Sequence, residues 1–242
     1  MKPSNPFKVK PGPKERMDLF LEGRLKLIQS GEGYRFSIDA VLLSEFVTIR
    51  PRDTVVDFGT GCGVIPLMLL VTKPVGYAFG LEIQAELASQ AMRNALLNGL
   101  DQKMKVILGD IRNPPLSEKC ADVITCNPPY RQVKDGRINP DVRKAIARHE
   151  ILASLDDILG GAKRLLKKKG RLALIYPSVR LVDVLAAMRR FELEPKTIQF
   201  IHPSLESGSK LVLIEAAVRG KPGLEIRAPI RGQGSFSILG RL

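Results

Sequence analysis

The chain has 242 residues, with 38 Lys and Arg against 25 Asp and Glu, a formal net charge of +13. A hydrophobic fraction of 44% and a charged fraction of 26% exclude a disordered or low-complexity chain and fit one large globular domain with a sizeable core. The positive surplus points to a polyanion, nucleic acid first and an anionic membrane surface second, although charge by itself also fits a protein that is basic for solubility alone.

The N-terminus, to about Lys14, is rich in Pro and Lys and has no apolar signal segment. Alternating apolar residues from Met17 to Ile28 predict a hairpin around Glu22-Gly23. Ser37-Ile38-Asp39-Ala40 opens a short helix through Val47, with Ser37 or Asp39 as N-cap. Strands and helices then alternate: a strand over 54–58, a helix over 64–72, a strand over 75–81, and a helix over 84–98 closed by Gly99. Further strands are predicted over 103–108 and 121–126. A largely helical stretch covers 140–169, and Gly160-Gly161 is the point at which it could break. A strand over 171–176 and a helix over 179–190 follow, then strands over 196–201 and 211–218. Alternation of this kind predicts a mostly parallel sheet with helices on both faces, and the last two strands, having no helix between them, pair antiparallel. Residues 219–242 carry Gly, Pro and Arg and read as an extended basic tail.

Three cysteines, Cys62, Cys120 and Cys126, form no C-x-x-C pair, and with only two histidines, His149 and His202, no metal site is expected. The odd cysteine count fits a reducing cytoplasm. Asp57 interrupts the best candidate for a membrane span, so none is expected.

Chemistry concentrates at the ends of the predicted strands, where open α/β sheets bind ligands. Asp57-Phe58-Gly59-Thr60-Gly61-Cys62-Gly63 joins the first strand of the alternation to its helix. Its G-x-G-x-G spacing is not that of a dinucleotide turn. Asp57 repels a phosphate but suits a cation such as a sulfonium or ammonium. Glu82 ends the second strand, about 20 residues on, where a carboxylate accepts from ribose hydroxyls. A solvated strand-end charge would explain Glu82 alone, but not its spacing from Asp57 and the glycines. Asp110, at the end of the third strand, either accepts from the amino group of an adenine, with Ile83 or Ile111 packing on the ring, or simply forms a turn.

Asn127-Pro128-Pro129-Tyr130 follows the fourth strand. Two prolines end that strand and present an amide and an aromatic ring on a stiff backbone. An sp² amino group is a poor nucleophile. With its two N–H donors held by the Asn127 side-chain oxygen and the Pro128 carbonyl, its nitrogen can turn tetrahedral and attack a positioned methyl group. Tyr130 stacks on the planar target. A rigid turn carrying a surface tyrosine is the blander explanation.

Together, Asp57-x-Gly59-x-Gly61-x-Gly63, Glu82, Asp110 and Asn127-Pro128-Pro129-Tyr130 resemble a class I S-adenosylmethionine-dependent methyltransferase of the amino-group branch. The segment Tyr34-Arg35-Phe36-Ser37-Ile38-Asp39-Ala40-Val41-Leu42-Leu43 resembles the block preceding the core in the family that methylates N6 of an adenine beside the anticodon of valine tRNA. The resemblance covers roughly residues 17 to 218. It implies a Rossmann-like seven-stranded sheet of order 3-2-1-4-5-7-6 with the seventh strand antiparallel. It further implies S-adenosylmethionine as cofactor, held by Arg35, Phe36, Asp39, Asp57, Gly59, Thr60, Gly61, Gly63, Glu82, Ile83, Asp110, Ile111 and Asn127. Arg131 follows Tyr130 where the family has an aromatic. The expected organisation is a basic N-terminal segment with a hairpin (1–36), a methyltransferase domain (37–218) and a basic tail (219–242).

Target choice rests on charge. Arg131, Lys134, Arg137, Arg143, Lys144 and Arg148 follow the catalytic turn directly, so phosphate contacts there would position a nucleic acid while Tyr130 takes the base. Lys8, Lys10, Lys14, Arg16, Arg24 and Lys26 form an earlier cluster. Lys163, Arg164, Lys167, Lys168, Lys169 and Arg171 read as a solvated helix end. With no large extra domain for reading a DNA sequence, the expected target is a structured RNA with an exposed base, tRNA foremost. His149-Glu150 reads as a local helix contact. The alternatives are a protein glutamine or rRNA guanine-N2 methyltransferase on the same scaffold, or an RNA-binding module with a degenerate cofactor site.

Overall fold

The structure is a computed structural model that describes residues 9–31, 38–128, 153–204 and 206–231. An antiparallel hairpin, β1 (Glu15–Phe20) and β2 (Leu25–Ser30), precedes the main sheet. The chain then runs α1 (Ile38–Phe46), β3 (Thr54–Phe58), α2 (Val64–Thr72), β4 (Tyr77–Glu82), α3 (Ala85–Leu97), β5 (Met104–Leu108) and β6 (Ala121–Cys126). After the described chain resumes come α4 (Leu155–Leu165), β7 (Leu166–Pro177), a 3₁₀ turn (Ser178–Arg180), α5 (Leu181–Arg190), β8 (Leu193–His202), β9 (Leu211–Val218) and β10 (Glu225–Arg231).

The main sheet has the order β10-β8-β9-β7-β6-β3-β4-β5. Without β10, and with β3 counted as the first strand, this is 3-2-1-4-5-7-6. The seventh strand, β9, is antiparallel to both neighbours, β7 and β8. Successive residues on each strand face opposite layers, as the two-residue period requires. Val55, Val123, Ala173 and Leu213 join α1, α2 and α3 in one core, whereas Val56, Ile124, Leu172 and Val212 join α4 and α5 in the other. Both faces of the sheet are thus dry, and its catalytic potential is confined to the strand ends.

Three expectations are corrected. Residues 219–242 are not wholly a tail, because Glu225–Arg231 adds an eighth strand parallel to β8. Pro229 is tolerated there because β10 is an edge strand whose register shifts between Arg227 and Ile230. Helix α4 runs unbroken through Gly160-Gly161. A Cβ on Gly161 would stand 2.5 Å from the Ile111 carbonyl oxygen, so this glycine serves close packing and not a break. Lys167, Lys168, Lys169 and Arg171 lie on β7 rather than at a helix end, and Lys167 pairs with Asp122 of β6 at 2.7 Å. Only Lys163 and Arg164 occupy the last turn of α4.

Candidate active site

The turn from β3 into α2 uses the left-handed region three times, with φ of +65° at Gly59, +56° at Gly61 and +85° at Gly63. Side chains would strain each position, and a Cβ on Gly63 would also press on Met104 and Ala91 at 3.1 and 3.2 Å. Strand β4 anchors the turn: Gly59 and Thr60 N–H both donate to the Leu81 carbonyl, at 2.9 and 3.1 Å. Gly61 N–H donates to Glu82 Oε2 at 2.9 Å, and Gln84 N–H, at the start of α3, donates to Oε1 at 2.9 Å. Glu82 is buried. Each of its carboxylate oxygens has a second lone pair, so it can hold the turn and still accept from a ligand hydroxyl.

Asp57 is 1% exposed. Its Oδ1 accepts from Thr125 Oγ1 at 2.6 Å, across the parallel pair in which the two residues face each other. Among the described residues its Oδ2 has no hydrogen-bond partner, and neither has the buried Thr60 Oγ1. Burial pushes the Asp57 carboxyl up to about 7, against the pull of the Thr125 and Thr60 hydroxyls, with the nearby Glu82 carboxylate adding to the rise. Asp57 Oδ2 and Thr60 Oγ1 lie close enough to interact but make no hydrogen bond of ordinary geometry, so beside the accepting Glu82 carboxylate they keep capacity for a group that brings positive charge and hydroxyls, as S-adenosylmethionine does.

Because Phe58 pairs with Cys126, Asn127 leaves β6 next to the glycine turn that leaves β3. Asn127 and Pro128 are half-buried. Strand pairing therefore brings Asp57, Gly59, Thr60, Gly61, Gly63, Glu82 and Asn127 to one end of the sheet. Ile83 is partly exposed there, while Ile111 packs into the α4–α5 core. Asp110 accepts from the Arg112 backbone N–H at 2.8 Å and from its guanidinium, which holds the carboxyl below its ordinary value. The turn-forming role of Asp110 is therefore present, and an adenine amino group would share that carboxylate with Arg112. Asp39 lies half-buried in the first turn of α1. Arg35, Phe36, Pro129, Tyr130, Arg131, Lys134, Arg137, Arg143 and Lys144 lie outside the described residues.

Thr125 and Asn94 were not among the residues singled out from sequence. Thr125 sits in an apolar strand run, and only its pairing with Asp57 reveals its use. Asn94 is fully buried on α3 and donates to the Cys62 carbonyl inside the glycine turn at 2.9 Å. Neither buried thiol suits nucleophilic attack, since burial pushes Cys62 up to about 12 and Cys126 upward as well. Among the described residues no cluster of His, Cys, Asp and Glu is placed to hold a metal ion, and no helix is long and apolar enough to cross a membrane.

A family model described as a methyltransferase domain matches residues 49–211, which span β3 to β8 and reach the first residue of β9. The chain belongs to this methyltransferase family. Its cofactor is S-adenosylmethionine. The methyltransferase is 33% identical over 175 residues to the tRNA1(Val) (adenine(37)-N6)-methyltransferase of Porphyromonas gingivalis, covering 69% of this chain and 68% of the relative. It is 31% identical to the protein of the same name from Pedobacter heparinus, covering 74% and 75%. Among solved structures it resembles a predicted O-methyltransferase from Agrobacterium tumefaciens, with a TM-score of 0.66 at 18% identity over 81% of this chain and 92% of that one. It also resembles geranyl diphosphate C-methyltransferase from Streptomyces coelicolor, with a TM-score of 0.55 at 18% identity over 74% and 79%. At such identities these two likenesses speak for the fold alone.

Proposed function

We propose that the methyltransferase modifies N6 of an adenine in tRNA. The observation that carries this reading is the emergence of Asn127-Pro128 from β6 beside the glycine turn of β3, so that an amino-group acceptor motif stands next to the cofactor turn. The names of the relatives from P. gingivalis and P. heparinus support the choice of adenine and of tRNA.

In this reading the cofactor is held by Asp57, Gly59, Thr60, Gly61, Gly63 and Glu82, with Arg35, Phe36, Asp39, Ile83, Asp110 and Ile111 around it. S-adenosylmethionine supplies an electrophilic methyl group on a sulfonium. The Asn127 side-chain oxygen and the Pro128 carbonyl accept the two N–H bonds of the adenine amino group. That draws the nitrogen toward tetrahedral geometry and frees its lone pair, so orientation and electrostatics supply the catalysis without a strong base. The amino nitrogen would bond to the methyl carbon as the methyl–sulfur bond breaks, the sulfonium leaving as a neutral thioether, and the methylated nitrogen would give up a proton to solvent. Tyr130 stacks on the extruded base, and Arg131, Lys134, Arg137, Arg143 and Lys144 contact phosphates. A tRNA substrate implies activity in the cytoplasm.

The test is incubation with methyl-labelled S-adenosylmethionine, a release factor, and tRNA and rRNA from a strain lacking the activity. Label is expected in N6-methyladenosine. Label in a release factor or in guanine instead would overturn the reading. Asn127→Ala is expected to lower kcat at least about a hundredfold, the scale of losing an electrostatic contact to the reacting centre.

A further inference from the structure

The free edge of β2 is met by a helix where another strand would be expected. Ile28 N–H donates to Asn94 Oδ1 at 2.7 Å, and Ile28 C=O accepts from Asn94 Nδ2 at 3.0 Å. Lys26 N–H donates to Asn98 Oδ1 at 2.9 Å, and Lys26 C=O accepts from Asn98 Nδ2 at 2.7 Å. Each carboxamide closes the reciprocal pair that a facing strand residue would close. The match is geometric. Four residues of helix advance about 6 Å, close to the roughly 6.6–6.8 Å that two residues of strand advance. Asparagines at i and i+4 thus register with strand residues at i and i+2. Higher on the same helix, Gln90 and Arg93 both hold Glu15 of β1.

Asn94 does one thing that Asn98 does not. Its second amide hydrogen goes to the Cys62 carbonyl at 2.9 Å, while Gly63 N–H donates to the Thr60 carbonyl at 2.9 Å. Cys62 C=O and Gly63 N–H are the two ends of one planar peptide unit, so that unit is pinned at both ends. Gly63, at φ +85°, is also where the turn becomes helix α2.

We propose that Asn94 is a positioning residue for the methyl-donor turn, a single buried carboxamide that both seats the N-terminal hairpin and fixes the Cys62–Gly63 peptide. This rests on the reading of Gly59 to Gly63 as the cofactor seat. Replacing Asn94 with alanine leaves Ile28 N–H, Ile28 C=O and Cys62 C=O without partners in a buried place. Replacing Asn98 with alanine exposes the Lys26 groups to water that can serve them.

The experiment compares Asn94→Ala, Asn98→Ala and Glu82→Ala in the full chain by Tm, calorimetric S-adenosylmethionine binding and steady-state kinetics. Asn94→Ala is expected to raise Kd and KM for S-adenosylmethionine about tenfold, the scale of leaving a buried backbone group unpaired, with kcat at saturation within about twofold of wild type. Asn98→Ala is expected to lower Tm while binding the cofactor as wild type does. A purely structural Asn94 would move Tm without this split between KM and kcat. Equal effects of the two asparagine variants on Kd would overturn the proposal. If Glu82→Ala weakens binding and Asn94→Ala does not, the seat stands and the proposal alone fails. If Glu82→Ala also binds as wild type, the seat is misassigned and the proposal falls with it. Should Asn94→Ala not fold, Asn94→Ser is measured by the same criteria.

Discussion

Asp57 shows how a residue legible in the sequence acquires its chemistry only from its neighbours. Its place at the head of the glycine turn marks it as a site residue. Its partner Thr125, however, is 68 positions away and hidden in an apolar run. Strand pairing joins them, and burial then raises the carboxyl from an ordinary 3.8 to about 7. An acid whose folded value is raised binds a proton more tightly when folded. Between about pH 4 and 7 the folded state therefore holds more protons than the unfolded chain, and stability falls as pH rises through that window. Asp57→Asn has no charge to bury. Without cofactor, it is expected to gain stability relative to wild type as pH rises from 5 to 8, while binding S-adenosylmethionine less well. Urea unfolding of both proteins at the two pH values checks this, and a difference that does not change with pH would refute it. Glu82 was legible for the same reason as Asp57, its spacing. Asp110 was not resolved by sequence, because its engagement with Arg112 depends on local side-chain geometry that spacing does not encode.

At the scale of elements, the short apolar strands were the clearest. The readings of 54–58, 64–72 and 121–126 coincide with β3, α2 and β6, since each is a short, nearly continuous apolar run bounded by turn residues. The end of α4 was misread, because basic residues suit a helix end as well as a strand start. There the register of β6 against β7 jumps from Ala121–Leu166 to Val123–Arg171, so residues 167–170 form an irregularity within β7 opposite the single residue Asp122. Strand β10 was missed because Gly, Pro and Arg signal a tail, and its partners are distant in sequence. It is fastened by the Arg227 guanidinium, 5.0 Å from the Phe46 ring centroid, and by Gln199, which donates to the Ala228 carbonyl, while Lys196 Nζ holds the segment leading into it through the Lys221 and Gly223 carbonyls. It also stands at the edge of the sheet far from β3. Truncation after Leu224 is therefore expected to cost stability and spare the cofactor site. Each 1 kcal/mol shifts Tm by about 2–4 °C in a chain of this size, so a fall of roughly 5–10 °C is expected with S-adenosylmethionine affinity within about twofold. Calorimetry of the truncated protein measures both, and a collapse of cofactor affinity would contradict this placement.

At the scale of the whole molecule, alternation and a final helix-less pair made a mostly parallel sheet with an antiparallel end legible, whereas the strand order followed only from the family resemblance that the motifs carry. The partner is written in charge, which folding redistributes without removing. Several acidic groups of the described residues are matched, the buried Asp53 by Arg171 and, nearer the surface, Glu15 by Arg93 and Asp156 by Arg190, yet the net charge of +13 survives every such match. Residues 131–148 hold six basic residues against two acidic ones, directly after the acceptor motif. If these residues contact tRNA phosphates, binding releases counterions and weakens steeply with salt, whereas cofactor affinity barely changes. Between 50 and 200 mM salt the tRNA affinity is expected to fall at least about tenfold, and six to ten phosphate contacts would give roughly 10³–10⁵. Arg131→Ala/Lys134→Ala/Arg137→Ala is expected to lower affinity at low salt and to flatten the slope of log K against log salt by about one unit for each phosphate no longer neutralised. Filter binding across a salt series, with S-adenosylmethionine affinity as the internal control, reads both effects. An unchanged slope would place the phosphate-binding surface elsewhere, with the hairpin cluster of Lys10, Lys14, Arg16, Arg24 and Lys26 the next to be neutralised.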